Sequence, residues 1–187
     1  MAQSPDGEEV TPTCVGIDPS LTSLGLAAAV GGVVVATDRV LSKGHRTDSL
    51  VQRFERQQQV VTETVIFVHD HDADLVVIEG PSYASKFGHP HDRSGLWWGI
   101  VGELLLSGRA VVEVPPTCRM KYATGKGQAH KDLVLAAAIR RYPMVDIISN
   151  DIADAVILAV MGSRQLGWPA EQSLPQTHLA AMTGVSW

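Results

Sequence analysis

Apolar residues in the first part of the chain alternate with turn residues in a way that predicts β-strands. A short apolar run at residues 14–17 ends in Asp18 and is followed by a Pro-Ser turn. Two longer runs, residues 24–30 and 33–37, are separated by two glycines, which is typical of a β-hairpin. We therefore predict three early strands with short connections, the first of which ends at an acid.

From residue 47 onwards, helical and strand patterns alternate. Apolar residues recur with helical spacing over residues 47–69, whereas residues 74–79 form a continuous buried strand that ends in Glu79. Further elements are a helix over 94–107, a strand over 110–114, and helices over 129–141 and 150–165. This order predicts an α/β fold in which helices cover a sheet.

The length and the polarity of the ends define the domain organisation. The 187 residues suffice for one domain, which we place at residues 13–166, between a polar, disordered leader at 1–12 and a weakly patterned tail at 167–187. No apolar run reaches the roughly 18 residues of a membrane span. The two cysteines lack disulfide or metal-ligand spacing, so we expect a reducing, cytoplasmic location without membrane contact.

Charge is distributed unevenly along the chain. The formal net charge of −5, from 20 acidic and 15 basic residues, argues by itself against a nucleic-acid partner. Residues 115–141, however, contain six Lys or Arg and a single Asp, so they carry +5 and leave −10 for the rest. A basic segment in an acidic chain indicates a localised anion contact, although a solvated helix face and loop would have the same composition.

Four acids occupy positions suited to one cluster. Asp18 and Glu79 each end an apolar strand, and ligands of open α/β sheets gather at such strand ends. Asp151 and Asp154 are three residues apart, on one face of the last predicted helix. Because carboxylates held together repel without a cation, the cluster predicts a hard divalent ion, Mg²⁺ or Mn²⁺.

Taken alone, an acid at one of these positions could have a structural role instead of a metal-binding one. Asp151 could stabilise a helix N-terminus, and Asp18 could form a turn, whereas Glu79 has little structural reason to close an apolar strand. In combination, the four acids predict metal-dependent cleavage of a phosphodiester. Two ions about 3.5–4 Å apart activate water and stabilise the leaving oxygen in that reaction.

The same segments resemble the motifs of the RuvC-type Holliday junction resolvases. Residues 15–25, VGIDPSLTSLG, are similar to the first motif of that family, and residues 76–79, VVIE, to its second acidic strand. Residues 121–131 resemble its basic loop and following helix start, and residues 151–155, DIADA, its closing acidic helix. The motifs occur in family order and span residues 14–162, nearly the whole domain.

The resemblance implies an RNase H-like fold with a mixed central sheet of about five strands flanked by helices. It implies a homodimer that makes paired symmetrical nicks in branched DNA, a four-way junction, with two Mg²⁺ ions per site that Mn²⁺ can replace. By position, Asp18, Glu79, Asp151 and Asp154 would be the metal-binding catalytic acids, with Lys131 as a further catalytic residue. The location would be the cytoplasm of a bacterium or of a phage-infected host.

The expected DNA contacts are four basic and two aromatic residues: Arg119, Lys121, Lys126, Lys131, Tyr83 and Phe87. Glu79 is not followed by the Gln and aromatic residue usual in bacterial members, so either Tyr83 or Phe87 could stack on a junction base. Residues 88–92 also differ from the cellular enzymes. These departures are expected of a divergent phage or viral member.

Other functions are compatible with parts of the sequence. A related nuclease would act on flaps, forks or RNA–DNA hybrids, and a recombination accessory would bind junctions without cutting them. An actin-like nucleotide-binding half needs a second copy of the domain, for which this length leaves no room. The histidine pairs at 69/71 and 89/91 lack a third zinc ligand. Of the adjacent Trp97 and Trp98, either one faces a second subunit or both are core residues.

Overall fold

Five strands form one mixed sheet. The computed structural model describes residues 11–81 and 89–187. Its strands are β1 (Thr13–Asp18), β2 (Ser23–Val30), β3 (Val33–Leu41), β4 (Leu75–Glu79) and β5 (Val111–Val114), in the order β3-β2-β1-β4-β5. Strands β1, β2 and β3 pair antiparallel, whereas β4 is parallel to both β1 and β5. The predicted α/β fold with a mixed five-stranded sheet is confirmed.

Six helices accompany the sheet in the described part of the chain: α1 (Leu50–Asp70), α2 (Pro90–Leu106), α3 (Pro116–Thr124), α4 (Lys131–Arg141), α5 (Asn150–Gln165) and α6 (Gln176–Leu179). Helix α3 is not predicted by the sequence pattern, in which the Pro-Pro pair indicates only the end of β5. Pro116 also begins α3, because a proline at the first helical position gives up no hydrogen bond. In the described ranges, no helix is long and apolar enough to cross a membrane.

The alternation of side chains along β1 and β4 places the acids on one face. Ile17 packs with α1 and α2 on one side of the sheet, and Cys14 packs with α5 on the other. Ile17 of β1 pairs with Ile78 of β4, so Asp18 and Glu79 follow one residue later on neighbouring strands. Because successive side chains in a strand point to opposite faces, both acids lie on the α5 side.

Helix α5 lies with its backbone almost against the sheet. A Cβ built on Gly16 of β1 would overlap the backbone oxygen of Ala155, and one on Gly25 of β2 would overlap the backbone oxygen of Asp151. Only glycine lets the two backbones approach this closely. The approach brings the first turns of α5, with Asp151 and Asp154, to the end of β1.

The segment at 167–187 packs back onto the domain. Glu171 accepts hydrogen bonds from the hydroxyls of Tyr122 in α3 and Tyr142, and from the guanidinium of Arg164 in α5. Burial, and then the charge of Glu171, raise the pKa of both tyrosines, so their hydroxyls stay protonated donors at neutral pH. The segment predicted only as a tail therefore ties α3 to α5.

We expect Gly16→Ala to lower the free energy of unfolding by about 1–3 kcal/mol, because the added methyl group forces α5 away from β1. Urea unfolding followed by circular dichroism measures the change. Gly102→Ala in α2 is the matched control, because a Cβ there meets no heavy atom within 4 Å. It should raise stability by at most about 1 kcal/mol. Equal stability of Gly16→Ala and wild type would contradict the close approach.

Candidate active site

The four predicted acids meet at one end of the sheet. Asp18 ends β1, Glu79 ends β4, and Asp151 and Asp154 lie in the first turns of α5. Burial raises the pKa of Asp18 well above its usual value, and the charges of Glu79, Asp154 and Asp151 raise it further. The structure therefore brings all four carboxylates close enough to interact.

Local hydrogen bonds orient the start of α5. The Ser149 hydroxyl caps this helix by accepting a hydrogen bond from the backbone N–H of Ile152 at 3.2 Å. The Ser23 hydroxyl, at the start of β2, donates to Asp151 Oδ2 at 2.5 Å. Asp18 ends β1 and Ser23 begins β2, so the short connection between these strands has one acid at its start and, at its end, a hydroxyl that orients a second acid.

The end of β4 is held from the opposite face of the sheet. The indole N–H of Trp97, in α2, donates to the backbone oxygen of Glu79 at 2.9 Å. The N–H of Gly80 donates to the backbone oxygen of Val114 in β5, also at 2.9 Å. Trp97 is 8% exposed and belongs to the core, whereas Trp98 is 65% exposed. The two tryptophans are therefore not both core residues: Trp97 lies in the core and Trp98 on the surface.

A basic residue lies inside the cluster. Arg119 of α3 is only 6% exposed. Its Nε donates to Glu79 and its Nη1 to Asp154, and both contacts are ion pairs. The sequence predicts Arg119 as a DNA contact, but its guanidinium faces the acids and not the protein surface. The reason is that α3 begins directly after β5, the strand next to β4.

Lys131 also acts on the charge of the cluster. Asp154 is 5% exposed. Burial raises the pKa of Asp154 to about 7, the charge of Arg119 opposes this rise, Glu79 adds to it, and Lys131 opposes it. Lys131 is the first residue of α4 and its side chain is exposed. An exposed cation therefore stands beside the most buried acid of the site.

The other predicted DNA contacts lie on or beyond α3. Lys121 is half-buried on α3, and Lys126 is exposed in the loop that follows it. That loop begins at Gly125, whose φ of 78° is the left-handed conformation that favours glycine at a helix C-terminus. Tyr83 and Phe87 lie outside the described residues.

A second basic surface, which no single stretch of the sequence indicates, begins two residues after Asp18. A groove is lined by residues 20–22 between β1 and β2, by residues 44–46 and 48, and by the first two turns of α1 and the start of α2. We call it the arginine groove. It contains four arginines and two aspartates, a balance of 4 − 2 = +2: Arg46, Arg53, Arg56, Arg93, Asp48 and Asp92. Three separate segments contribute these residues, so no single stretch of sequence is strongly basic.

The chemistry of the donors fits a hard divalent cation. All four acids offer carboxylate oxygens, and the side-chain oxygen of Asn150, beside Asp151, is buried without a hydrogen-bond partner among the described residues. The repulsion that raises the pKa of Asp18 is what a cation would relieve. As they stand, no three His, Cys, Asp or Glu residues of ranges 11–81 and 89–187 are arranged as metal ligands, and Glu79 and Asp154 bind Arg119 instead.

The fold is the RNase H-like fold of the Holliday junction resolvases. Thermus thermophilus RuvC in complex with Holliday junction substrate superposes with a TM-score of 0.67 at 18% identity, over 83% of this chain and 96% of that chain. The yeast mitochondrial Holliday junction resolvase Ydc2 gives a TM-score of 0.53 at 11% identity, over 95% of this chain and 85% of that chain.

A viral structure has the same fold. Fowlpox virus resolvase with substrate Holliday junction DNA gives a TM-score of 0.51 at 15% identity, over 82% of this chain and 98% of that chain. No protein-family model matches the sequence, and no curated protein matches it significantly. The resemblance to RuvC-type resolvases is therefore confirmed in the fold.

Proposed function

We propose that this protein is a Holliday junction resolvase, a metal-dependent endonuclease that makes paired symmetrical nicks in four-way DNA junctions. The observation that carries the proposal is the convergence of Asp18, Glu79, Asp151 and Asp154 at one end of the sheet. Two of the structures with the same fold contain Holliday junction DNA, which supports branched DNA as the substrate.

The four acids would hold two Mg²⁺ ions, which Mn²⁺ can replace. When bound, the ions activate water for attack on the phosphate and stabilise charge on the leaving 3′-oxygen. The chain itself orients the acids: the Ser23 hydroxyl fixes one carboxylate oxygen of Asp151, and Trp97 holds the backbone of Glu79. Fixed ligands avoid reorganisation during the reaction.

Basic residues around the cluster would bind the DNA backbone. Lys131, whose charge acts on Asp154, would stabilise the charge that develops on the scissile phosphate. Lys121 and Lys126 would hold the adjoining backbone, with Tyr83 or Phe87 stacking on a junction base. The arginine groove starts two residues after Asp18 and would bind a further stretch of backbone.

A homodimer would place two such sites on one junction. A near-symmetric junction has two equivalent scissile phosphates, and a twofold dimer presents two equivalent clusters to them. Helix α2 exposes Trp98, Leu105 and Leu106, which are 65%, 56% and 85% exposed. Exposed apolar side chains on one helix are typical of an interface, so we assign this face of α2 to the second copy.

A reducing compartment suits this chain. Both cysteines are free thiols: Cys14 is buried and Cys118 partly buried. We therefore place the protein in the cytoplasm of a bacterium or of a phage-infected host. The residues after Glu79 that depart from the bacterial pattern favour a divergent phage or viral member.

We expect Asp18→Asn and Glu79→Gln to reduce Mg²⁺-dependent junction cleavage by at least about 100-fold, because each removes a metal ligand, while junction binding is kept. Cleavage is measured on denaturing gels and binding by fluorescence anisotropy. Asp38→Asn, at an exposed position on β3, is the matched control and should cut at the wild-type rate. Near wild-type cleavage by either active-site variant would exclude this assignment.

The same assay separates the alternative functions. Flaps, replication forks and RNA–DNA hybrids of the same length are compared with the four-way junction. Preferential cutting of any of these would identify a different structure-selective nuclease. Junction binding without cutting under any divalent ion would identify a non-catalytic accessory.

We expect Arg46→Gln to weaken junction binding and to reduce the slope of log K against log salt by about 0.9, the change for one lost phosphate contact. Anisotropy titrations at several salt concentrations measure both. Arg109→Gln is the control, because Arg109 binds Asp72 and Ala73, which precede β4 at the other end of the sheet. An unchanged slope for Arg46→Gln would exclude DNA from the arginine groove.

We expect Trp98→Glu to give a monomer, because a charge in the centre of an apolar interface remains unpaired. Light scattering after size-exclusion chromatography measures the mass, and circular dichroism checks the fold. Leu133→Glu on α4 is the control, since Leu133 is similarly exposed at 58% but lies on the helix that packs with α5. A monomeric wild type, or a dimeric Trp98→Glu, would exclude this interface.

A further inference from the structure

Arg119 occupies an unusual place for a basic side chain in a predicted metal site. Its guanidinium is almost fully buried and bridges two acids that come from different elements, Glu79 at the end of β4 and Asp154 in α5. A buried arginine stays charged, because its pKa is too high for deprotonation in a protein. The acidic cluster therefore contains a permanent positive charge supplied by the chain itself.

Arg119 and the neighbouring acids stabilise one another's charged forms. Burial lowers the pKa of Arg119, but the charges of Glu79 and Asp154 more than offset this effect, so its pKa lies above the usual value. The charge of Arg119 in turn opposes the rise in the pKa of Asp18 and of Asp154. The guanidinium thus relieves the same repulsion that a divalent cation would relieve.

A guanidinium and a divalent cation would compete for these carboxylates. Both would use Glu79 and Asp154, which would bring two positive charges within a few Å of each other where little water screens them. The side chains of Arg119 and Asp154 are only 8% and 7% exposed. The two ion pairs therefore oppose metal binding, and we expect the ion to weaken or break at least one of them.

We propose that Arg119 is an internal counter-ion that holds the acidic cluster together without metal and competes with the divalent cation for Glu79 and Asp154. The proposal rests on the proposed function only in that the four acids are the metal site. Arg119 is thus a positioning residue that sets the metal concentration at which the site fills. Its effect is measurable without DNA and without cleavage.

The first test measures metal affinity by calorimetry, with Mn²⁺ as the probe and no DNA. We expect Arg119→Gln to bind Mn²⁺ about tenfold more tightly than wild type, because the ion no longer displaces a charged hydrogen-bond donor. We also expect a lower melting temperature without metal, and a larger rise on adding Mn²⁺, because the buried carboxylate of Asp154 and the partly buried one of Glu79 lose their partner. Arg119→Lys keeps the charge but cannot donate to both acids in the same geometry. Its Mn²⁺ affinity should therefore lie between those of wild type and Arg119→Gln.

Two controls separate competition from general effects. Arg53→Gln removes another arginine that hydrogen-bonds to a buried carboxylate, that of Asp92, outside the cluster. It should lower the melting temperature and leave the Mn²⁺ affinity unchanged. Lys131→Gln removes an exposed charge that acts on Asp154 only through space, and should change the affinity by less than Arg119→Gln does.

A second test uses the wild-type protein, so it does not depend on the folding of a variant. Arginine Nε–H signals in nitrogen-15 NMR spectra are followed while Mg²⁺ is added. The Arg119 signal, assigned from Arg119→Lys, should shift or broaden as its bond to Glu79 breaks. The Arg53 signal, whose Nε lies 3.2 Å from Asp92 Oδ2, should stay unchanged.

The outcomes distinguish this proposal from the proposed function. Equal Mn²⁺ affinity in wild type and Arg119→Gln, or an Arg119 signal that is unaffected by bound Mg²⁺, would overturn the competition and leave the metal site intact. Absence of metal binding in every protein would overturn both. Tighter binding by Arg119→Gln would support the competition, even if no junction were cut.

Discussion

Carboxylates brought together in a poorly hydrated site repel one another, and the rest of this structure holds them in place against that repulsion. The constraint is set by backbone contact: α5 lies so close to β1 and β2 that Gly16 and Gly25 have no room for a side chain. The helix cannot slide away from the strand ends without losing the core beneath it, in which α5 is almost wholly buried. The position of α5 against β1 and β2 therefore keeps the acids close together. Their negative charges need a positive charge nearby to balance them.

The positive charge that balances the acids is that of Arg119. Its position depends on a series of contacts that begins in the C-terminal segment. Glu171 binds Tyr122 of α3 and Arg164 of α5, and so fixes α3 relative to the helix that carries two of the acids. Arg119 lies one turn before Tyr122 on α3 and inserts between Glu79 and Asp154. The C-terminal segment thus contributes to the site through the position of α3.

The sequence predicts the sheet and the proximity of the four acids, because both follow from short-range patterns. Apolar runs bounded by turn residues, and the position of an acid at the end of such a run, are local features, and the parallel pairing of β1 with β4 then makes Asp18 and Glu79 neighbours. The sequence pattern does not predict helix α3, because this helix is short and polar and begins at a proline pair that also ends β5. The location of Arg119 and the composition of the arginine groove depend on tertiary contacts between separate segments, which no local pattern contains.

We propose that this cluster cuts a four-way junction at two equivalent positions. The most direct measurement uses one synthetic junction prepared four times, each time with a different strand labelled at its 5′ end, and maps the products on a denaturing gel with and without Mg²⁺. We expect Mg²⁺-dependent nicks at symmetrical positions on two opposite strands, and we expect the other two strands to remain intact. Cutting of one strand only, cutting at unrelated positions, or cutting that does not need a divalent ion would contradict it.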